Sequence, residues 1–229
     1  MKKNILIVVA HPDDEILGCG GFISRFKKQS NFKVLIIAEG SSCRFKKLFK
    51  EKKEIQKKIE LRKNQAKKAL ALFSVKDVTF CDLPCGSLNS IPSIRINQLI
   101  EEQIKLFKPE KILTHSSEDL HPDHRAVFHS VMQATRPIKK DNFVKEILSF
   151  EILSSSEWAY SSIFKPNYFI KLSKKNVNEK WKALKCYTEE IQKKPLPRSS
   201  FGINTLASFR GIQSGNEFAE AYYQVRSIK

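Results

Sequence analysis

Cysteine is too sparse and too irregularly spaced in this 229-residue sequence to hold a fold together. The five cysteines are odd in number. Cys81 and Cys85, separated by three residues, have no second pair with which to complete a structural zinc site. The pattern argues against a disulfide framework and predicts reduced thiols in a reducing compartment.

Long apolar runs are missing as well. No stretch approaches the ~18 apolar residues that cross a bilayer. The apolar run behind Lys2 and Lys3 covers only residues 5–10, and His-Pro-Asp-Asp-Glu follows it in place of a cleavage site. We therefore expect a cytoplasmic protein without a transmembrane segment.

Acidic residues are scarce beside basic ones, 24 against 41, which gives a formal net charge of +17. Residues 44–76 alone hold 13 Lys and Arg against three Glu. No aromatic residue interrupts Lys50–Leu70 to stack on bases, and pairs such as Glu54 and Lys58 have helical spacing. We interpret this segment as a solvated helix face and expect no specific nucleic acid partner. Attraction of an anionic substrate or peripheral contact with a membrane surface stays open.

Hydrophobic residues make up 41% of the sequence, enough for a sizeable core, and they alternate between strand and helix patterns. The predicted fold is α/β, a Rossmann-like three-layer sandwich with a mostly parallel central sheet. The predicted strands are Ile5–Val9, Lys33–Ala38, Lys76–Cys81 and Lys111–His115. The predicted helices are a short one that follows residues 18–21 and runs through Lys28, then Glu51–Phe73, Ile94–Phe107 and Pro122–Thr135.

The pattern changes after Arg136 and Pro137, without a linker or an internal repeat. We predict a single domain, 1–229, with a core of about 1–136 and a cap-like, substrate-shaping extension of about 137–229. In the extension we predict strands at Glu146–Ile152 and Asn167–Leu172, helices at Lys174–Tyr187 and Gly202–Arg210, and either a helix or a strand at Ala219–Arg226.

The most informative run, Ala-His-Pro-Asp-Asp-Glu at residues 10–15, follows the first predicted strand directly. It places an imidazole and three carboxylates on a tight turn at the carboxyl end of that strand. Open α/β sheets keep their sites at this edge. On such a turn His11 and Asp14 can converge on one ion while Asp13 points elsewhere.

A second run, His-Pro-Asp-His at residues 121–124, opens the helix after the fourth predicted strand. Its two histidines are three residues apart and so share one helix face. His11, Asp14 and His124 would form a three-ligand set with an open position for water, the pattern of a catalytic metal site. Asp13 and His121 remain free for acid–base work.

With these residues in place, the chain resembles the PIG-L (LmbE-like) deacetylases, zinc-dependent enzymes that remove acetyl from N-acetylated amino sugars. The resemblance rests on residues 10–15 and 121–125, with supporting matches at Leu-Arg-x-x-Gln-Ala (61–66) and Cys-Asp-Leu-Pro (81–84). It covers about residues 4–135. Gln65 stands where the family usually has Glu.

The resemblance implies a role for each site residue. His11, Asp14 and His124 would hold Zn²⁺, with Fe²⁺ as an alternative metal. Asp13 would be the general base, and His121 would stabilise the oxyanion. Asp123 would orient His121, and Arg62 would reach the acetyl end of the substrate.

The implied function is metal-dependent removal of acetyl from an N-acetylated amino sugar, such as N-acetylglucosamine, or its glycoconjugate, in bacterial surface-glycan or sugar-conjugate biosynthesis. The main alternative is a zinc amidase that acts on a non-sugar or thiol-precursor acyl amide. A nucleotide-binding protein without hydrolysis has only Gly18-x-Gly-Gly21 in its favour, and that spacing is not G-x-G-x-x-G. A nucleic-acid-binding module is the remaining alternative. The sequence leaves the oligomeric state open.

Overall fold

The apolar run behind the N-terminal lysines forms an interior strand of the sheet, with a parallel neighbour on each side. The computed structural model describes residues 2–45, 52–138 and 144–229, which contain seven strands, six α-helices and three short 3-10 helices. The strands are Lys3–Val9 (β1), Ser30–Ala38 (β2), Asp77–Leu83 (β3), Lys111–His115 (β4), Glu146–Phe150 (β5), Tyr168–Leu172 (β6) and Phe218–Ser227 (β7). The helices are Asp14–Phe26 (α1), Lys52–Ala71 (α2), Ser93–Phe107 (α3), Pro122–Ala134 (α4), Lys174–Leu184 (α5) and Ser200–Gln213 (α6).

The strands form one sheet in the order β3-β2-β1-β4-β5-β7-β6. The pairs from β3 through β5 are all parallel, and β7 runs antiparallel to both β5 and β6. The predicted α/β fold with a mostly parallel sheet is confirmed.

Helices cover both faces of the sheet because the buried strands are apolar on both sides. Along β1, Ile5, Ile7 and Val9 belong to the core beneath α1, α2, α5 and α6. Leu6 and Val8 belong to the core beneath α3 and α4. The molecule is therefore the predicted three-layer sandwich.

The strand order reverses at β1, which has β2 on one side and β4 on the other. At such a reversal the connections leave to opposite faces of the sheet, and a crevice opens at the carboxyl ends of the two neighbouring strands. Residue 10 follows β1 and residue 116 follows β4, so both sequence runs lie at this crevice.

The last third of the chain extends the same sheet. The segment Ala219–Arg226, which the sequence left between helix and strand, lies within β7 between β5 and β6. Two of its connecting segments return to the crevice. Tyr187 and Arg198, between α5 and α6, contact residues of the run 10–15, and Ser155 and Ser156, between β5 and β6, contact Asp119. The predicted substrate-shaping extension therefore reaches the site through its loops.

The first helix begins earlier than predicted. It starts at Asp14, directly after the turn, and runs across residues 18–21 with a kink at Cys19 (φ −144°). The glycines do not precede the helix. They lie inside it, where neighbouring side chains approach the backbone so closely that a Cβ atom would clash with them. None of the helices that the structure describes is both long enough and apolar enough to cross a membrane.

The basic segment 44–76 is described only in part. Residues 46–51, including the predicted helix start at Glu51, lie outside the described residues. From Lys52 onward the segment is α2, which buries Ile55, Ala66 and Leu70 and leaves most of its lysines exposed, as expected for a solvated face.

Gly18 is the clearest steric constraint on how α1 packs against the sheet. A Cβ at this position would lie 2.3 Å from the ring of Phe150, which is fully buried. We predict that Gly18→Ala lowers the free energy of unfolding by about 1–3 kcal/mol, because a fully buried ring would have to shift to make room for the new methyl group. Chemical denaturation measures this. In the double variant with Phe150→Leu, Gly18→Ala should lower the free energy of unfolding by less than it does in the wild type. If the effects of the two substitutions on the free energy of unfolding are strictly additive, the packing conflict is contradicted.

Candidate active site

The crevice between β1 and β4 gathers the imidazoles that the two sequence runs supply. His11 follows β1, and Asp14 is the first residue of α1. His121 is the N-cap of α4, and His124 lies in its first turn. The local fold explains the convergence, since both helices start at the same edge of the sheet and point their first turns at each other.

Three side chains form a candidate metal centre. One ligand atom from each of His11, Asp14 and His124 lies within 4.8 Å of the others. Asp14 Oδ2 is 3.4 Å from His11 Nδ1 and 3.3 Å from His124 Nε2. Ligands held ~2.0–2.1 Å from a tetrahedral zinc ion lie roughly 3.3–3.4 Å apart, so this donor set fits zinc. Two imidazoles and a carboxylate also suit Fe²⁺.

In each of the two candidate ligand imidazoles, the ring nitrogen that faces away from Asp14 contacts another carboxylate. His11 Nε2 lies 2.9 Å from Asp123 Oδ2, and His124 Nδ1 lies 3.0 Å from Asp119 Oδ1. A proton shared with the carboxylate leaves the opposite ring nitrogen, Nδ1 of His11 and Nε2 of His124, as the ligand atom. Asp119 is held in turn by the hydroxyls of Ser155 and Ser156.

Asp123 differs from the role that the resemblance implies. Its carboxylate contacts His11, not His121, and accepts the main-chain N–H groups of Gly86 at 2.6 Å and Leu88 at 2.8 Å. Only its own main-chain N–H contacts His121, at Nδ1 and 3.1 Å. His11, His121 and Asp123 also lie close enough to hold an ion. In that group, however, Asp123 is already bound on both oxygens. Asp123 is therefore linked to the candidate metal centre through its contact with His11.

The geometry fixes the tautomer of His121. Its Nδ1 accepts the N–H of Asp123 as the helix N-cap, so the neutral ring carries its proton on Nε2. Burial and the nearby charges of His124 and His11 lower the pKa of His121 to about 4. His121 is therefore a neutral hydrogen-bond donor beside the metal ligands, with its ring 4.9 Å from that of His11.

Without a metal, protons balance the charge of the centre. Burial alone would lower the pKa of His11, but hydrogen bonds to Asp123 and Asp14 raise it to about 9. Burial also opposes protonation of His124, yet the Asp14 charge and Asp119 raise its pKa to about 10. Burial works to raise the pKa of Asp14, and the neighbouring imidazoles hold it well below the ordinary value. A divalent ion would take the place of these protons.

Asp13 lies beside the centre in a strained conformation. Its φ of 110° is in the left-handed region, and its main-chain N–H donates to Glu15 Oε2 at 2.9 Å. Asp13 Oδ2 is 2.8 Å from Nη1 of Arg198 and 3.2 Å from Nη2 of Arg62. Burial raises the pKa of Asp13, and the two guanidiniums limit the rise. Strain of this kind persists where the surroundings over-determine a backbone, as at active sites.

Arg62 lies next to the site but is buried behind the turn that carries Asp13. Its guanidinium donates to the carbonyl of Pro12 and to Glu190, and only 4% of the residue is exposed. The resemblance implies that Arg62 reaches substrate. In this structure its contacts are with the protein, and they hold Asp13 and the turn that carries it.

The sequence reasoning missed two members of the site. Arg198 comes from the loop before α6 and has no local motif around it. His115 ends β4, so its position at the carboxyl edge of a predicted strand could have identified it. Its Nε2 lies 3.4 Å from Asp14 Oδ2 but accepts the N–H of Ala10, which makes it a poor ligand.

His115 instead packs against the centre. Its ring stacks on that of His124 with centroids 4.0 Å apart, and the residue is fully buried. Burial and the charge of His124 lower the pKa of His115 to about 4, so it stays neutral. Its Nδ1 has no hydrogen-bond partner among the residues that the structure describes.

Comparison with known proteins matches residues 6–135, more than half of the chain, to the family described as GlcNAc-PI de-N-acetylase, PIG-L. A Bacillus cereus protein named "Probable N-acetyl-alpha-D-glucosaminyl L-malate deacetylase 2" is 26% identical over 145 residues. That alignment covers 62% of this chain and 64% of the relative. The chain therefore spans less than two thirds of that relative's length.

Two solved structures share the fold at low sequence identity. N,N'-diacetylchitobiose deacetylase from Pyrococcus horikoshii has a TM-score of 0.75 at 16% identity and covers 98% of this chain and 84% of its own. GalB, the 4-carboxy-2-hydroxymuconate hydratase of Pseudomonas putida KT2440, has a TM-score of 0.78 at 20% identity and covers 99% and 98%. A hydratase and a deacetylase thus share this architecture.

The carboxylate of Glu190 links the guanidiniums of Arg44, Arg62 and Arg198. Burial acts to raise its pKa, but the hydrogen bond from Arg44 and the charge of Arg62 lower it from 4.5 to about 2. The carboxylate therefore stabilises the fold above pH 4.5, and this contribution is lost as the pH falls towards about 2.

We predict that Glu190→Gln lowers the free energy of unfolding at pH 7 by about 1–3 kcal/mol. The difference from wild type should shrink as the pH falls from 4.5 towards 2. Urea titrations across this range test both statements. Glu189→Gln is the matched control, since the neighbouring Glu189 is 43% exposed and pairs only with Lys58 among the described residues. Equal pH dependence in all three proteins would contradict the role of Glu190.

Proposed function

Because the chain belongs to the GlcNAc-PI de-N-acetylase (PIG-L) family, we propose that it is a metal-dependent hydrolase that removes acetyl from an N-acetylated amino sugar or its conjugate. One observation carries the proposal. Two imidazoles and a carboxylate converge at 3.3–3.4 Å, with Asp13 and His121 beside them and outside the ligand set. A hydrolase needs this division between ligands and proton-transfer groups.

His11, Asp14 and His124 are the residues that would hold the ion. A divalent metal bound there would supply the Lewis acidity that activates water and polarises an amide carbonyl. Asp119 and Asp123 keep the two imidazoles oriented, as their contacts with His124 and His11 support. Asp14 and His124 are buried, which strengthens the electrostatic interactions that they make.

Asp13 is the proposed general base. Burial raises the pKa of its carboxyl group, while contacts with Arg198 and Arg62 limit that rise and keep the carboxylate oriented. It accepts a proton from the attacking water and then delivers that proton to the departing amine nitrogen. One residue thus serves in both steps, and acetate leaves as the second product.

His121 is the proposed donor to the reacting carbonyl oxygen. Its Nδ1 is bound to the N–H of Asp123, so Nε2 carries a proton that can be donated to oxygen as negative charge develops there. A neutral imidazole, fixed by a helix N-terminus, needs little reorganisation during the reaction. This is a donor role and does not require His121 to be charged.

The substrate proposal stays at the level of an amino sugar conjugate. The name of the Bacillus cereus relative supports an N-acetylglucosaminyl substrate with an attached group. We propose that this substrate belongs to bacterial sugar-conjugate or surface-glycan biosynthesis. Loops of the last third reach the crevice, and Arg198 is 17% exposed there. A cytoplasmic location belongs to the same proposal.

Acetate release tests the function directly. We predict that the zinc-loaded protein releases acetate from at least one member of a panel of N-acetylglucosamine, N-acetylglucosaminyl malate and N,N'-diacetylchitobiose. Asp13→Asn should lower turnover by ~10²-fold or more with the metal retained, because the base is lost and the ligands are intact. Asp77→Asn, an exposed carboxylate on β3, is the control. Unchanged turnover in Asp13→Asn would contradict the assigned base.

Metal content tests the ligand set separately. His124→Ala should reduce bound zinc from about one ion per chain to nearly none after dialysis, because a three-ligand site loses one donor. His129→Ala, on the exposed side of α4, should keep its zinc. Elemental analysis gives the content, and circular dichroism shows whether each variant is folded. Full zinc content in folded His124→Ala would mean that the ligand set is wrong.

A further inference from the structure

Two cysteines from distant parts of the chain meet beside the candidate active site. Cys43 lies in a short 3-10 turn, Ser42–Arg44, and Cys85 follows β3. The main-chain N–H of Cys43 donates to Cys85 Sγ at 3.2 Å, and the hydroxyl oxygen of the neighbouring Ser42 lies 3.9 Å from the same sulfur. Neither sulfur has a role in the proposed hydrolysis.

The fold holds the two loops together through one buried carboxylate. Glu39, which follows β2, accepts N–H groups from Ser41 at 2.6 Å and Ser42 at 3.0 Å in one loop. It also accepts the N–H of Cys85 at 3.0 Å in the other loop. Since a single side chain bridges both loops, the fold holds Cys43 beside Cys85.

Gly86 lets the cysteines approach. Its φ is +73°, and a Cβ there would lie 2.9 Å from Cys43 Cβ. A side chain at this position would therefore both strain the turn and push Cys43 away from Cys85. The glycine thus fits a requirement for close contact between the two loops.

The two thiols differ in exposure and in acidity. Cys43 is exposed, whereas only 4% of Cys85 is. The hydrogen bond with Cys85 and the charge of Arg44 lower the pKa of Cys43 to about 7, against the effect of burial. The same hydrogen bond and burial raise the pKa of Cys85 well above its ordinary value. An accessible thiolate next to a protected thiol is the arrangement of a redox-sensitive pair.

We propose that Cys43 and Cys85 form a reversible dithiol–disulfide pair that hydrogen peroxide oxidises. The Cys43 thiolate attacks one peroxide oxygen; an S–O bond forms, the O–O bond breaks, and hydroxide leaves and is protonated to water. Cys85 sulfur then attacks the sulfenic sulfur; the S–S bond forms, the S–O bond breaks, and the second water departs with the Cys85 proton. The two thiols lose two electrons and the peroxide gains them. A dithiol reductant reverses the reaction.

Oxidation should reach the metal centre through a short chain of contacts. Gly86 and Leu88, just after Cys85, donate the two N–H groups that hold Asp123, which contacts His11. A disulfide requires the sulfurs to approach to about 2.05 Å, which draws the loops together and displaces those N–H groups. Weaker support of His11 should then weaken metal binding. This consequence rests on the proposed function, while the thiol chemistry does not.

Peptide mapping tests the pair itself. The zinc-loaded protein is treated with hydrogen peroxide, alkylated and digested without reductant. We expect a linked peptide containing Cys43 and Cys85, a mass loss of about 2 Da before digestion, and restoration of both thiols by dithiothreitol. Cys43→Ser should abolish the link, and Cys186→Ser, at a half-buried cysteine elsewhere, should keep it. Absence of the linked peptide, or over-oxidation of Cys43 with Cys85 unchanged, would overturn the proposal.

Metal release tests the coupling. Oxidised wild type should lose zinc to a chromogenic chelator at least ~5-fold faster than the reduced protein, and dithiothreitol should restore the slow rate. Peroxide-treated Cys43→Ser should keep the slow rate. Equal rates for a protein that carries the linked peptide would overturn the coupling. Failure of every panel substrate to release acetate would count against the proposed function and leave the peptide result intact.

Discussion

The site depends on one buried carboxylate oxygen that three imidazoles face. Asp14 Oδ2 lies 3.4 Å from His11 Nδ1, 3.4 Å from His115 Nε2 and 3.3 Å from His124 Nε2, and Asp14 is 1% exposed. A buried negative charge is costly unless positive charge or hydrogen bonds compensate for it. Protons on His11 and His124 meet this demand without a metal, and a divalent ion bound to the same three atoms would meet it instead. The need to neutralise Asp14 thus favours metal binding.

The groups that surround Asp14 Oδ2 hold the neighbouring imidazoles in place. Asp119 and Asp123 stand behind the two ligand imidazoles, and main-chain N–H groups from a distant loop hold Asp123 in place. The last third of the chain completes the site, since Arg198 binds Asp13 and the serine hydroxyls of residues 155 and 156 bind Asp119. The candidate ligands and the residues proposed for proton transfer therefore lie between residues 11 and 124, and the groups that orient them come from that part of the chain and from the last third.

The strands, and the convergence of the three candidate ligand residues, could be predicted because each follows from a local pattern in the sequence. Buried parallel strands are continuously apolar, and residues that follow them lie at one edge of the sheet, which is why His11, Asp14 and His124 were identified. The partners of the site residues could not be predicted. Arg198 and Asp13, for example, are 185 positions apart, and no sequence pattern indicates that they meet. The partner of Asp123 could not be predicted either. Its position in the motif is evident from the sequence, but whether it contacts His11 or His121 depends on the direction of its carboxylate in the fold. The glycines at residues 18–21 misled the prediction of where α1 begins. They are small because Phe150, Lys180 and Leu172 pack closely against the helix there, and not because the chain turns at that point.

The central claim is that two imidazoles and one carboxylate share a single ion. Anomalous diffraction at the zinc absorption edge, from crystals grown with zinc, tests it most directly. The account predicts one strong anomalous peak within bonding distance of His11 Nδ1, Asp14 Oδ2 and His124 Nε2, with Asp13 and His121 outside the coordination shell. A peak elsewhere in the molecule, or one at this position bound by Asp123 in place of Asp14, would contradict it.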